Sequence, residues 1–139
     1  MPQPPSTPPL TVLYDRDCSF CAWTALWLRR LDRAGRLRFV ALQLATGERA
    51  DPRVASAVAG RALEAELHVV DARGAVSAGG DAALAIGLVL PFRALAGPFA
   101  RTRRGRRLAS MTYDWIARHR EMLARLVRAD REAACRALE

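Results

Sequence analysis

At 139 residues, with 51% hydrophobic and 26% charged side chains, the chain has the size and balance of one globular domain with a real core. Three cysteines are too few for a disulfide scaffold, which excludes the small secreted class. Arginine supplies all 22 basic residues against 14 acidic ones, and the net +8 suits an anionic partner such as nucleic acid, a membrane surface or an acidic protein. Only RTRRGRR (101–107) is dense, so most of this charge is expected on solvated helix faces.

The opening MPQPPSTPPL has neither the positive region nor the apolar stretch of a signal peptide. Its proline and serine content predicts a disordered lead over 1–9 ahead of a single domain over 10–139. The expected compartment is the reducing cytoplasm, where a close cysteine pair serves catalysis or metal binding more often than structure. LTVLY (10–14) is a β-branched apolar run that predicts a buried strand. It stops at DRDC, where two aspartates suit a turn and a helix N-cap. From Phe20 to about Ala34 the large apolar residues fall at Phe20, Trp23, Trp27 and Leu31, with Leu28 beside them, a spacing that predicts a helix burying one broad stripe. Arg29, Arg30 and Arg33 followed by Gly35 supply helix C-terminal chemistry.

RLRFVAL (36–42) predicts a second strand, parallel to the first through a right-handed βαβ crossover. Asp51 and Pro52 then open a helix to about Leu63. ELHVVDARGAVSAGG reads as a hairpin, with strands at 66–70 and 75–78 around a turn through Asp71 to Gly74. Asp81 is placed to cap a helix over AALAIGLVL, which Pro91 closes. The apolar run there is too short, and too soon interrupted by Arg93 and prolines, to cross a membrane. A helical extension over about 108–139 is expected, with Met111, Trp115, Met122 and Leu126 near one face. The order, βαβ then ββα around a small mixed four-stranded sheet with extra C-terminal helices, is the α/β layout of a thioredoxin-like domain.

The two cysteines three apart, Cys18 and Cys21, fall where the first strand meets the first helix. Free N–H groups and the positive dipole end at a helix start stabilise a thiolate on the first cysteine. One turn on, the second lies within disulfide range. On that reading Cys18 is the nucleophile and Cys21 the resolving thiol. Asp15 and Asp17 would raise the thiol pKa, whereas Arg16 and the helix end would lower it. An aspartate here has a functional reading, proton acceptor for Cys21, and a structural one, capping, which suits Asp17 in particular. Tyr14 and Phe20 flank the pair as core residues or as shields of the sulfurs.

Two other readings stay open. A structural zinc site needs about four ligands. Beyond the pair only His68, His119, Cys135 and the aspartates are candidates, and none forms a second paired motif. Alternatively, a redox-inactive domain would use RTRRGRR with Arg118, Arg120, Arg125 and Arg128 to hold an anionic partner. Against nucleic acid stands the lack of stacking aromatics near 101–107, where only Phe99 is found. Cys135 reads as inert, or as a third exchange partner if the last helix folds back toward the pair.

LYDRDCSFCAWTALWLRRLDRAGRLRFVALQ, ELHVVDARGAV, GGDAALAI and YDWIARHR together resemble the DCC family of thiol-disulfide oxidoreductases, named for an Asp-x-x-Cys-x-x-Cys pattern matched here by Asp15, Cys18 and Cys21. The resemblance implies a thioredoxin-like fold and dithiol–disulfide exchange with no bound cofactor. The expected substrate is a thiol or disulfide protein or a small-molecule thiol, and no metal is expected. The chain departs from the family pattern at Arg16, where the family often has glycine, and at Ser19, where it often has proline. It departs from thioredoxins in lacking a proline in EAELHVV, ahead of the hairpin strand. That implies a substrate groove that differs or is absent.

Overall fold

The computed structural model describes residues 10–139, so the expected proline-rich lead lies outside the described residues. Strand β1 (Leu10–Tyr14) is buried along its whole length because both faces of the sheet are covered. On one side it pairs in parallel with β2 (Leu37–Ala41). On the other it pairs antiparallel with β3 (His68–Asp71), which carries β4 (Val76–Ala78) at its far edge. The sheet order is β2-β1-β3-β4, and the βαβ and ββα units expected of a thioredoxin-like domain are present.

Strand alternation divides the interior into two layers. Leu10, Val12, Leu37 and Val69 pack with Ala82 and Ile86 of α3 (Gly79–Val89) and with Leu90 just beyond it, backed by Leu28 and Leu31 of α1 (Ser19–Leu31). On the opposite face, Leu13 and Val70 meet Val54 and Val58 of α2 (Pro52–Val58). Asp51 caps α2, accepting from the Arg53 N–H at 2.9 Å, with Pro52 in the first turn as expected. That helix ends at Val58, short of Leu63, because Gly60 follows with φ +75.

The first helix meets its expected stripe only in part: Leu28 and Leu31 pack on the core, whereas Trp27 does not. Ala22 and Ala25 are its fully buried residues, while Trp27 is 45% exposed with the Arg30 guanidinium over its ring at 5.3 Å. Phe20 and Trp23, both half-buried, stack on each other at 5.9 Å. The reason is crowding: α1 lies between the sheet and a helix at the C-terminus, and only small residues fit that contact. Its end is fastened by Asp32, whose carboxylate accepts from the Arg36 and Leu37 N–H groups at 2.9 and 2.8 Å and so starts β2.

The rest is helical, as expected, but divided more finely and begun earlier. Helix α4 (Arg93–Arg101) follows Pro91, and Thr102 caps α5 (Arg103–Arg118) through the Gly105 N–H at 3.0 Å. RTRRGRR thus runs from the end of α4 into the first turns of α5. His119 interrupts the helical stretch expected from about residue 108 on, and α6 (Arg120–Leu126) continues from it. Helix α7 (Arg131–Leu138), capped by Asp130, folds back onto α1. Asp81 falls inside the first turn of α3 and makes no side-chain cap. Gly80 sits where α3 meets α5, so closely that a β-carbon there would come within 2.5 Å of the Ser110 Cα.

Candidate active site

Asp15 follows the last residue of β1, and α1 begins four residues later. Between them the chain makes a tight turn in which the Asp15 carbonyl accepts from the Cys18 N–H at 3.3 Å. Cys18, in extended conformation (φ −102, ψ 113), is itself the N-cap of α1: the Cys21 N–H donates to its Sγ at 3.2 Å. A free helix N–H is therefore aimed at the Cys18 sulfur. The Cα atoms of Cys18 and Cys21 are 5.2 Å apart, with the sulfurs at disulfide distance. The expected pairing of the two cysteines at a strand–helix junction is present. Capping by Asp17 is not, because the thiol group holds that position.

The aspartates brace the turn instead. Asp15 Oδ1 accepts from the Asp17 N–H at 2.9 Å and from Gln43 Nε2 at 2.8 Å, and Gln43 Nε2 also reaches Asp17 Oδ2 at 3.2 Å. Gln43 was not foreseen from sequence. It follows β2, and because β2 runs parallel to β1 with Ala41 beside Tyr14, the residues after both strands meet at the same end of the sheet. That parallel register was the signal that could have found it.

Charges on the turn are matched by the C-terminal helix. Arg16 pairs with Glu139 at 3.1 Å and Asp17 with Arg131 at 3.5 Å, both at the surface. Cys135 Sγ lies 3.6 Å from the Arg16 carbonyl, and Arg29 donates to the Ala137 carbonyl. The last helix thus folds back to the cysteine turn. Tyr14 is buried against it with Ala25, Ala41 and Leu138. Burial pushes the Tyr14 hydroxyl pKa above its ordinary value of 10.0, with Cys135 and Glu139 adding to that and Arg16 opposing.

The two sulfurs border different spaces. Cys21 lines an apolar cavity of about 110 Å³ with Tyr14, Asp15 and Phe20 on one side and Leu67, Tyr113 and Ile116 on the other. Cys18 lines a wider groove of about 470 Å³ shared with Phe20, Arg120, Ala124 and Arg125. Helices α5 and α6 therefore wall the site beside Leu67, just ahead of β3. The Leu67 N–H, just ahead of β3, donates to Tyr113 Oη at 2.6 Å. Burial raises the Tyr113 pKa above 10.0, with the nearby Glu66 adding and the Leu67 hydrogen bond and Arg120 opposing.

The other candidates do not converge on the pair. His68 is buried in β3 with Nδ1 2.8 Å from the Glu66 carbonyl oxygen, and His119 sits between α5 and α6 with Nδ1 2.7 Å from the Trp115 carbonyl oxygen. Among the described residues no three His, Cys, Asp or Glu side chains are disposed to hold a metal ion. Among the described residues no helix is long and apolar enough to cross a membrane.

No curated protein and no solved structure matches the chain. Residues 12–126, most of its length, match the family model for DCC1-like thiol-disulfide oxidoreductase. With two cysteines bridged at the start of α1 and a matching model over nearly the whole fold, the chain belongs to the DCC1-like thiol-disulfide oxidoreductase family.

Proposed function

We propose that the protein catalyses thiol–disulfide exchange through Cys18 as nucleophile and Cys21 as resolving thiol. The observation that carries this reading is the division of space around the pair: Cys18 borders the wide groove and Cys21 the narrow apolar cavity. In the reducing direction, the Cys18 thiolate attacks a substrate disulfide and one substrate sulfur leaves as a thiolate. Cys21 then loses its proton and attacks the Cys18 sulfur, closing the Cys18–Cys21 disulfide and releasing the second substrate thiol. The oxidising direction is the same path reversed.

The Cys21 N–H stabilises the Cys18 thiolate, and the helix dipole adds to it. Asp15 borders the same cavity as Cys21 and accepts its proton during resolution. Asp17 and Arg16 hold the turn through Gln43 and α7, and Tyr14 and Phe20 keep water from the resolving sulfur. The substrate is a protein or small-molecule thiol or disulfide, met in the reducing cytoplasm.

The test is a Cys21→Ser variant challenged with disulfide substrates. A mixed disulfide accumulating at Cys18, with the Cys18 thiol titrating below about 8.5, is the expected result. An ordinary titration and no trapped partner would remove the chemistry. The reduction potential of the pair sets the direction: about −270 mV marks a reductant and about −120 mV an oxidant.

A further inference from the structure

The net charge of +8 is not spread over the molecule. Residues 92–128 contain ten arginines and only two carboxylates, Asp114 and Glu121, so the whole excess falls on this segment and the remainder is neutral. The same segment holds nine of the eleven large apolar side chains exposed among the described residues. Helix α5 shows how the two features combine. Its inner face, around Ala109, Tyr113 and Ile116, is turned toward the domain. On the opposite face Leu108, Met111 and Trp115 follow at helical spacing, exposed by 52%, 60% and 49%. Arg104 lies one turn before Leu108 on that line, and Arg107 and Arg118 run beside it. The Trp115 ring stacks on His119 at 4.5 Å, and the stripe continues on α6 through Met122 and Leu126, flanked by Arg118 and Arg125.

We propose that this face docks the protein onto an anionic lipid surface. An amphipathic helix with a cationic flank buries its apolar side chains at the boundary of headgroups and acyl chains, while the flanking charges meet lipid phosphates. Arginine forks onto phosphate, and tryptophan favours that boundary. Charge argues against a second copy of the chain, which would set +8 against +8. Nucleic acid would satisfy the arginines but leave the aliphatic stripe in water. The apolar residues are dispersed along successive helices and not gathered into one deep pocket, which suits a fluid surface better than an acidic protein. Docking would also turn the exchange site toward the lipid, because Arg125 borders both the stripe and the groove at Cys18.

The test is flotation of the full-length protein with phosphatidylcholine vesicles, with and without phosphatidylglycerol, at low and raised salt. Binding confined to the anionic vesicles is expected, weakening with salt. It should bring a blue shift of tryptophan emission that disappears in Trp115→Phe. Each of Met111→Ser and Leu126→Ser should weaken partitioning by about tenfold, and each of Arg104→Gln and Arg107→Gln by about fivefold. These residues lie outside the exchange site, so an unchanged exchange rate with a small disulfide in solution reports that the variants are folded. Equal binding to neutral vesicles, no binding to either, or unimpaired binding by the serine variants overturns the proposal. So does tighter binding to polyglutamate or single-stranded DNA, or a self-association that buries Trp115. None of these outcomes bears on whether Cys18 traps a partner.

Discussion

Several single residues decide how the helices close around the sheet, and Gly80 is one with almost no room to change. A methyl group at this position meets backbone of α5, the Ser110 Cα at 2.5 Å and its nitrogen at 2.6 Å, so a whole helix would have to shift. Gly80→Ala is expected to cost about 1–3 kcal/mol, the usual range for overpacking a close contact. A lowered urea midpoint at constant slope checks it, and an unchanged midpoint would mean that α5 is free to move. The glycine belongs to GGDAALAI, a stretch legible as a strand end and helix start. That it faces Ser110 was not legible, because the partner lies thirty residues away. Gln43 is a similar case: a lone amide after a strand carries no local signal, yet it ties Asp15, Arg16 and Asp17 together.

Helix α7 shows how much an element can do without contributing a reacting group. It lies beyond the residues that match the family model, yet it supplies partners to Arg16, Asp17 and Arg29 and covers Tyr14. The surface ion pairs contribute only about 0–1 kcal/mol each. Packing of Ala134 and Leu138 and the cap at Asp130 therefore hold the helix in place. Asp130→Ala removes the acceptor for the Ala133 N–H and is expected to lower stability by about 1 kcal/mol. Hydrogen exchange should localise the loosening to α7 and to the turn at residues 15–17. Loosening confined to α7 would mean that the turn holds itself. At this scale the amphipathic pattern of α1 is met by Leu28 and Leu31 but not by Trp27. Period alone pointed to the tryptophan stripe, whereas the presence of α7 on a second side made the alanine face the buried one.

Over the whole molecule, the joint between the sheet and the helical layer is the Tyr113 hydroxyl held by the Leu67 N–H. Burial raises the Tyr113 and Tyr14 pKa values in the folded protein above 10.0, so the fold favours the neutral phenols. Their contribution is fully present below the unfolded value of about 10 and is lost as pH rises through the folded values. Stability should therefore hold through neutral pH and fall above about 10. In Tyr113→Phe the alkaline decline should be shallower, while stability at pH 7 drops by about 1–3 kcal/mol for the unpaired Leu67 N–H. Thermal melts across pH 7 to about 11 check both, and a decline of unchanged steepness would place the alkaline sensitivity elsewhere.

The sequence by itself determined the strands, the order βαβ then ββα, the turn at DRDC and the cysteine pair at the start of a helix. All of these follow from neighbours within a few residues: apolar runs, caps, prolines and glycines, and one helical turn between two sulfurs. What surrounds that pair was decided only by the tertiary structure. Parallel pairing of β1 and β2 brought Gln43 to Asp15, the fold-back of α7 brought Glu139 and Arg131 to the turn, and α5 with α6 walled the site beside Leu67. The arginine-rich segment shows the same limit, since its charge and its apolar face could be read but the exposure of that face could not. Whether a helix stripe is buried depends on what packs against it, and that partner is chosen by chain separations that no local pattern encodes.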